Sequence, residues 1–593
     1  MLDRHRDTRM TRRLLLLLIS CWLPPLAAAD TATPAPAPAA LAPAAPAAPA
    51  APEGGTGRYA LSAASAEKAM AVTANPHATD AALEMLRTGG SAIDAAIAAQ
   101  AVLGLVEPQS SGFGGGAFLV YHDGQKTLSV DGRETAPASA REDRFLEADG
   151  QPLPFHAAIL RGKAVGVPGV LAALEAAHQR YGKLPWRRLF EPAIHLSRNG
   201  FAISPRLAAL IARDPLLAQQ PSTRAYFFNA EGRPLPAGHL LKNPEYAKTL
   251  ERIADNGARA FYKGRFARRM IAELNRAGAD FTTADWARYE ARVSNALCKP
   301  YRVWAVCSAP PPSGGWTVLQ TLALLDEYPY VGNRPLFLHR LLEAERLAFA
   351  DRQRYSADPA FVPVPLAGLF DSGYLDSRRA LIGPKSMQRA KAGVPPGLTA
   401  PWGSDGQLLE NGTTQLTVVD SSGHWLSMTS SIEDAFGSRL LVEGLLFNNQ
   451  LTDFSFAPRA DGHPVANRVQ GGKRPRSAMS PVIVLDADRR GVLALGSPGG
   501  SRIIGYVLLA LVASLDEELP PAEVVSQPLL LSRNGPTEVD ADFPPALRAA
   551  LGAFGQPITE GDLNSGLAII RRDAGGRLQG AADPRREGRA AGF

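Results

Sequence analysis

Cysteine is nearly absent: the 593 residues hold three, Cys21, Cys298 and Cys307. No histidine accompanies the second and third in Leu297-Cys298-Lys299-Pro300-Tyr301-Arg302-Val303-Trp304-Ala305-Val306-Cys307. That argues against a metal site there and favours a structural disulfide across a short hairpin in an oxidising compartment. Nor does one sign of charge dominate, since 63 Lys and Arg are interspersed with 57 Asp and Glu for a net charge of +6. Such mixing argues against a nucleic-acid-binding face. Two local basic clusters stand out, and neither needs a nucleic acid: Lys473-Arg474-Arg476 lies inside a longer motif, and Arg585-Arg586 lies near a tail expected to be solvated. Internal repeats are missing. The hydrophobic content of 46% supports one large continuous core.

Long apolar runs are lacking at the N-terminus as well. Arg4, Arg6, Arg9, Arg12 and Arg13 precede Leu14 to Leu18, Ile19 and Ser20, and the apolar stretch ends at Ala27-Ala28-Ala29 before Asp30. This is the pattern of an export signal over residues 1–29. The run is shorter than the roughly 20 residues of a spanning helix, and Pro24-Pro25 would break it. Cleavage after Ala29 would release an exported, periplasmic protein. Leu18-Ile19-Ser20-Cys21 also fits a lipoprotein box, which would leave the protein anchored to the membrane through Cys21. Residues 30–57 are dominated by alanine and proline, a composition that builds no core and suits a disordered spacer.

Periodicity places the main elements. Ala78 to Arg87 and Ser91 to Leu105 read as alanine-rich helices separated by Gly89-Gly90, with Ser91 as N-cap. Phe118 to Tyr121 and Thr127 to Val130 read as strands around Asp123-Gly124, delivering Arg133 just past the second. A helix is expected from about Pro168 to Tyr181, and mostly helix over residues 240–290. Thr413 to Asp420, Trp425 to Ser431, Val482 to Asp486 and Val492 to Gly496 read as strands, and Arg502 to Leu515 as a helix. Helices are therefore expected mainly before residue 413 and strands mainly after it, an α+β chain.

Thr413 opens one of those strands, after Asn411-Gly412. A threonine hydroxyl is a weak nucleophile unless a base stands beside it. Scission of the Gly412–Thr413 bond would supply that base, because an α-amine has a pKa near 8 and is partly neutral at ordinary pH. The plain alternative is a strand opening after an Asn-Gly turn. A second chemical element is Gly496-Ser497-Pro498-Gly499-Gly500-Ser501, between a strand and a helix, where backbone N–H groups can face a developing oxyanion. Its plain alternative is a tight strand-to-helix turn.

Many ordered motifs lie around these two. They include Asn75-Pro76, Glu107-Pro108, Ser111-Gly112-Phe113-Gly114-Gly115-Gly116, Arg133-Glu134, Pro310-Pro311-Pro312-Ser313-Gly314-Gly315, Asn448-Asn449-Gln450, Lys473-Arg474-Pro475 and Gly496 to Arg502. Through them the chain, from about residue 60 onward, resembles the γ-glutamyltranspeptidases, or glutathione hydrolases, of the N-terminal-nucleophile superfamily. The resemblance implies a four-layer αββα sandwich built from a large chain (58–412) and a small chain (413–593) after autocleavage at Gly412–Thr413. It implies Thr413 as nucleophile, Ser431 positioning it, and Gly499 and Gly500 as the oxyanion hole. Arg133 and Ser477 would face the substrate α-carboxylate, and Glu433, Gln450 and Asp453 its ammonium group. Arg133-Glu134 could instead serve structural ion pairs, Asp453 a cap and Ser431 a strand.

The implied donor is a γ-glutamyl compound such as glutathione, and the acceptor is water, an amino acid or a peptide. Neither metal nor organic cofactor is implied. Four positions depart from the family pattern: Gln415 for histidine, Ser431 for threonine, Glu433 for asparagine and Ala478 for serine. The segment from Asp453 to Ser477 is also shorter than in relatives with a lid, which suits larger leaving groups. Two other readings follow: an acylase of the same fold removing glutaryl groups from β-lactams or other amides, and an inactive, surface-tethered binding protein. On a denaturing gel, a chain of 63.0 kDa that loses residues 1–29 and is then cut gives pieces of about 41 kDa (residues 30–412) and 19 kDa (residues 413–593), in proportion to length. Thr413→Ala keeps it whole; a variant that still splits at this bond removes Thr413 from the scission.

Overall fold

The computed structural model describes residues 54–160, 162–406 and 412–593. The export segment, Cys21, most of the spacer and Asn411 lie outside the described residues. Two antiparallel seven-stranded sheets form the centre. Their strands are β1 (Ser62–Ala66), β2 (Met70–Thr73), β3 (Gly116–His122), β4 (Thr127–Gly132), β5 (Arg292–Asn295), β6 (Leu297–Tyr301), β7 (Trp304–Ser308), β8 (Gly412–Val419), β9 (Trp425–Glu433), β10 (Val482–Leu485), β11 (Gly491–Gly496), β12 (Ala568–Arg572), β13 (Leu578–Ala582) and β14 (Arg589–Gly592). One sheet runs β1-β13-β12-β11-β10-β7-β6, the other β14-β2-β8-β9-β3-β4-β5.

The expected elements occur within two residues of their expected bounds, and residues 240–290 contain the helices Pro244–Asn256, Arg259–Tyr262, Gly264–Arg276 and Thr283–Ala287. Among the described residues helices do lie mainly before Thr413 and strands mainly after it, yet β1–β7 precede it and both sheets mix strands from either side. Strands such as β1, Ser-Ala-Ala-Ser-Ala, have little intrinsic β preference. They are strands because neighbours complete their ladders, as β13 does for β1.

β8 lies inside its sheet, with Leu416 opposite Thr73 of β2 on one side and Met428 of β9 on the other. Both its faces are buried. Side chains alternate along the strand: Leu416 and Val418 enter the core beneath the helices, and Val419 enters the core shared with the other sheet. Thr417 also points across, donating to Ala568 O of β12 at 2.9 Å. The same alternation puts Thr413 and Gln415 on the face toward the second sheet.

Helices α1 (Pro76–Arg87), α2 (Ala92–Val106) and α3 (Val170–Tyr181) cover the sheet containing β8. α2 begins with a capping box between Ser91 and Asp94, and its alanines let it lie close to the strands. Helices α4 (Gly315–Leu325), α5 (Ile503–Leu515) and α6 (Pro521–Ser526) cover the other sheet. α5 is apolar on nearly every face and correspondingly buried. The result is the four-layer αββα sandwich. Cys298 and Cys307 face each other across β6 and β7 and are joined, S–S 2.08 Å. Among the described residues no helix is long and apolar enough to cross a membrane. Since Leu416 is fully buried in the central strand, Leu416→Ala in the uncut Thr413→Ala background lowers unfolding free energy by about 2–5 kcal/mol, measured by denaturant titration.

Candidate active site

The carbonyl of Gly412 sits between two hydroxyls. Thr413 Oγ1 lies 2.6 Å from Gly412 O and 3.3 Å from Ser431 Oγ. Ser431 Oγ donates to the same carbonyl and accepts the Glu433 N–H at 2.8 Å, so its proton is directed onto Gly412 O. The pairing of β8 with β9 shifts register between Gly412 and Thr414, a bulge that re-aims the backbone at this point. Only glycine fits position 412, because a Cβ would meet Glu433 O at 2.3 Å. Two side chains from elsewhere hold the strand: Arg586 Nη1 donates to Thr413 O at 3.1 Å, and Thr414 Oγ1 donates to Glu107 Oε2 at 3.4 Å.

The glycine-rich loop follows β11. Gly499 and Gly500 have φ of +130° and +59°, the left-handed region that favours glycine, and a short turn from Gly500 leads into α5. A Cβ on Gly499 would also strike the Tyr506 ring at 2.5 Å. Gly566 packs between the loop and Arg586, the side chain that holds Thr413, for a Cβ there would lie 2.6 Å from both Pro498 and Arg586. Arg585 and Arg586 are thus not at a solvated tail, for both are buried. Burial is affordable because Arg585 pairs with Asp540 at 2.8 Å, and Arg586 donates to backbone carbonyls.

The charged residues converge. Arg133 is fully buried, and its Nη2 bonds Asp453 Oδ2 and donates to Arg476 O at 2.7 Å, while Nε donates to Pro475 O at 3.1 Å. It therefore clasps the backbone just before Ser477, whose N–H donates to Pro312 O at 2.8 Å. Gln450 Nε2 donates to Asp453 Oδ2 at 3.2 Å. Asn449 Nδ2 donates to Glu433 Oε2, while Asn448 Nδ2 donates to Gly114 O and Gly166 O at 2.7 and 3.0 Å. Contacts thus run from Thr413 through Ser431, Glu433 and the Asn448-Asn449-Gln450 turn to Asp453 and Arg133. An amino-acid ligand placed here would exchange its carboxylate and ammonium for the partners in the Arg133–Asp453 pair, keeping buried charges matched.

Glu134 lies 3.5 Å from Arg133. Burial pushes its pKa up to about 8 despite the attraction of that guanidinium, so it is mainly neutral at pH 7. Lys473 Nζ donates to Ala466 O, Arg468 O and Gln470 Oε1 at 2.6, 3.0 and 3.1 Å. It thereby holds the loop carrying Asn467, which donates to Asp453 O at 2.7 Å. Two of the departures sit away from these charges. Gln415 lies between the sheets, and the Ala478 side chain lies in the apolar core. Sequence reasoning assigned no role to Arg586, Asn448, Asn449 or Lys473. Membership of a motif was the available signal for the last three.

A model of the family described as Gamma-glutamyltranspeptidase matches residues 78–593. The chain is 34% identical over 545 residues to the glutathione hydrolase proenzyme of Bacillus subtilis (strain 168), covering 88% of this chain and 91% of that protein. It is 35% identical over 541 residues to the glutathione hydrolase proenzyme of Escherichia coli (strain K12), with the same coverage, 88% and 91%. Among solved structures, a cephalosporin acylase from Bacillus halodurans is similar with a TM-score of 0.81 at 26% identity, covering 91% of this chain and 97% of that one.

Ser431 aims a proton at the oxygen that would turn negative if the Gly412 carbonyl were attacked. Ser431→Ala should therefore slow scission about 10²–10³-fold, and Ser431→Thr much less, followed by the appearance of the small chain on a gel. Equal rates in Ser431→Ala and the wild type would remove the hydroxyl from that step.

Proposed function

The chain belongs to the gamma-glutamyltranspeptidase family, a family of N-terminal-nucleophile hydrolases, and from that premise we propose that it is an autoprocessing γ-glutamyl hydrolase and acyltransferase with Thr413 as nucleophile. The observation that carries the reading is the Gly412 carbonyl lying against the Thr413 hydroxyl, at a position where only glycine fits. In the precursor, Thr413 Oγ1 attacks the Gly412 carbonyl carbon and the negative oxygen is held by Ser431. The C–N bond breaks, Thr413 N takes the proton, and the ester is hydrolysed to a Gly412 carboxylate and a free Thr413 amine. Chains 58–412 and 413–593 stay packed because each sheet contains strands of both.

In the mature protein the Thr413 amine takes the proton of its own hydroxyl as that hydroxyl attacks the γ-glutamyl amide. Gly499 and Gly500 hold the oxyanion, and the leaving amine departs with the proton. Water or an acceptor amine then releases the acyl group from Thr413. Arg133 and Ser477 bind the donor's α-carboxylate, and Glu433, Gln450 and Asp453 its ammonium group. Residues 1–29 direct export, with release into the periplasm preferred to anchoring through Cys21. The short Asp453–Ser477 segment leaves room for a bulky leaving group.

Similarity to a cephalosporin acylase over nearly the whole chain supports a second reading, amide acylase activity without an ammonium group on the acyl side. Glutathione and γ-glutamyl and glutaryl anilides separate the two. The γ-glutamyl compounds are expected to give the higher kcat/KM, and equal or faster turnover of the glutaryl anilide would favour the acylase. A second measurement concerns pH. Glu134 is neutral below its pKa of about 8; above it, a carboxylate appears beside Arg133 and competes with the donor carboxylate. KM for the donor should therefore rise above about pH 8, and Glu134→Gln should flatten that rise. An unchanged profile in Glu134→Gln would assign the pH dependence to other groups.

A further inference from the structure

We propose that Gln415 is a positioning residue that fixes the oxyanion loop, Gly496 to Gly500, relative to Thr413; the proposal rests on the reading of Gly499 and Gly500 as oxyanion donors. Gln415 lies two residues along β8 from Thr413 and is fully buried on the face toward the second sheet. Its amide lies against Gly496 at the end of β11. A Cβ on Gly496 would meet Gln415 Oε1, Cδ and Nε2 at 2.3, 2.5 and 2.7 Å. The loop therefore departs from a residue that the Gln415 side chain touches directly.

Both ends of the amide are committed. Oε1 accepts from Thr429 Oγ1 at 2.7 Å, and Nε2 donates to Ser427 Oγ and Leu416 O, each at 3.0 Å, with Thr417 Oγ1 at 3.3 Å. Ser427 Oγ passes the connection across the sandwich by donating to Leu495 O of β11 at 2.8 Å. The interior around this polar layer is largely apolar. Apolar contact between two sheets has no preferred direction, whereas a buried chain of hydrogen bonds does. Catalytic donors must stay within about 0.5 Å of their working place. The Gln415 network ties the strand that begins with the nucleophile to the strand that delivers the donors. It needs one donor and one acceptor on the same side chain, which an imidazole also supplies and a thioether does not.

The test compares wild type, Gln415→Met, Gln415→His, Gln415→Ala, Gly496→Ala and the double variant Gln415→Ala/Gly496→Ala. Scission on a gel, thermal unfolding, kcat and KM on the γ-glutamyl anilide, and inhibition by a boronic acid with the γ-glutamyl skeleton are measured. Scission relies on Ser431 and should survive in Gln415→Met. Its kcat should fall about 10–100-fold with KM within about two-fold, and boronate affinity should fall by the same factor as kcat, since only the tetrahedral adduct uses the oxyanion donors. Gln415→His should recover most of the loss. Gly496→Ala should be worse than Gln415→Ala, and the double variant should match Gln415→Ala because the clash has been removed. Full kcat in Gln415→Met, losses that add in the double variant, or lower thermal stability with unchanged boronate affinity would each overturn the proposal. A wild type that cleaves neither the γ-glutamyl nor the glutaryl anilide would overturn the functional reading, and this one with it.

Discussion

At Gly412 the backbone passes so near Glu433 and Asp434 that a side chain has no room, and this approach presses its carbonyl against the hydroxyls of Thr413 and Ser431. The rest of the molecule can be read as support for that contact. The bulge between β8 and β9 turns the carbonyl, Arg586 and Glu107 hold the strand beyond it, and the buried faces of β8 keep it from sliding. Because β8 is packed on both sides, a shift of one residue would carry its apolar side chains to the wrong core. The position of one carbonyl is therefore guaranteed by the register of a whole strand.

Around this point the protein spends charge in places where charge is costly. Arg133, Arg474 and Arg476 are all buried, and each has an anionic partner: Asp453, Asp131 at 2.6 Å and Asp405 at 3.0 Å. Removing one partner of such a pair commonly costs about 3–5 kcal/mol, because the other is left unmatched out of water. A zwitterionic ligand avoids that penalty by bringing both charges at once. A ligand with one charge would leave half of the Arg133–Asp453 exchange incomplete, which is the physical ground for preferring a donor with an intact amino-acid head group.

Much of this was legible in the chain. The alternation from Thr413 to Asp420 marked a strand, and the glycines of the loop after β11 marked a tight turn able to present backbone N–H groups. The bulge was not legible, since two residues opposing one leaves no trace in hydrophobic period. Arg586 was misread because a basic pair near a chain end resembles a solvated tail, and its partner Thr413 lies 173 residues away in sequence. Strand β1 was unread because alanine and serine carry little strand preference and pairing supplies the rest. The roles of Asn448 and Asn449 needed coordinates, as an amide side chain names neither its donor nor its acceptor partner.

Both sheets interleave strands from before and after Gly412–Thr413, and this would give the proposed scission a direction in time. The carbonyl meets its two hydroxyls only after strands from distant parts of the chain have paired, so a cut made there would record that folding is complete. After such a cut the covalent link that made assembly a one-molecule event would be gone. A cut molecule that unfolds would have to find its other half by diffusion, at a rate that depends on concentration, so its persistence would be set by the height of the barrier to unfolding rather than by an equilibrium it can revisit.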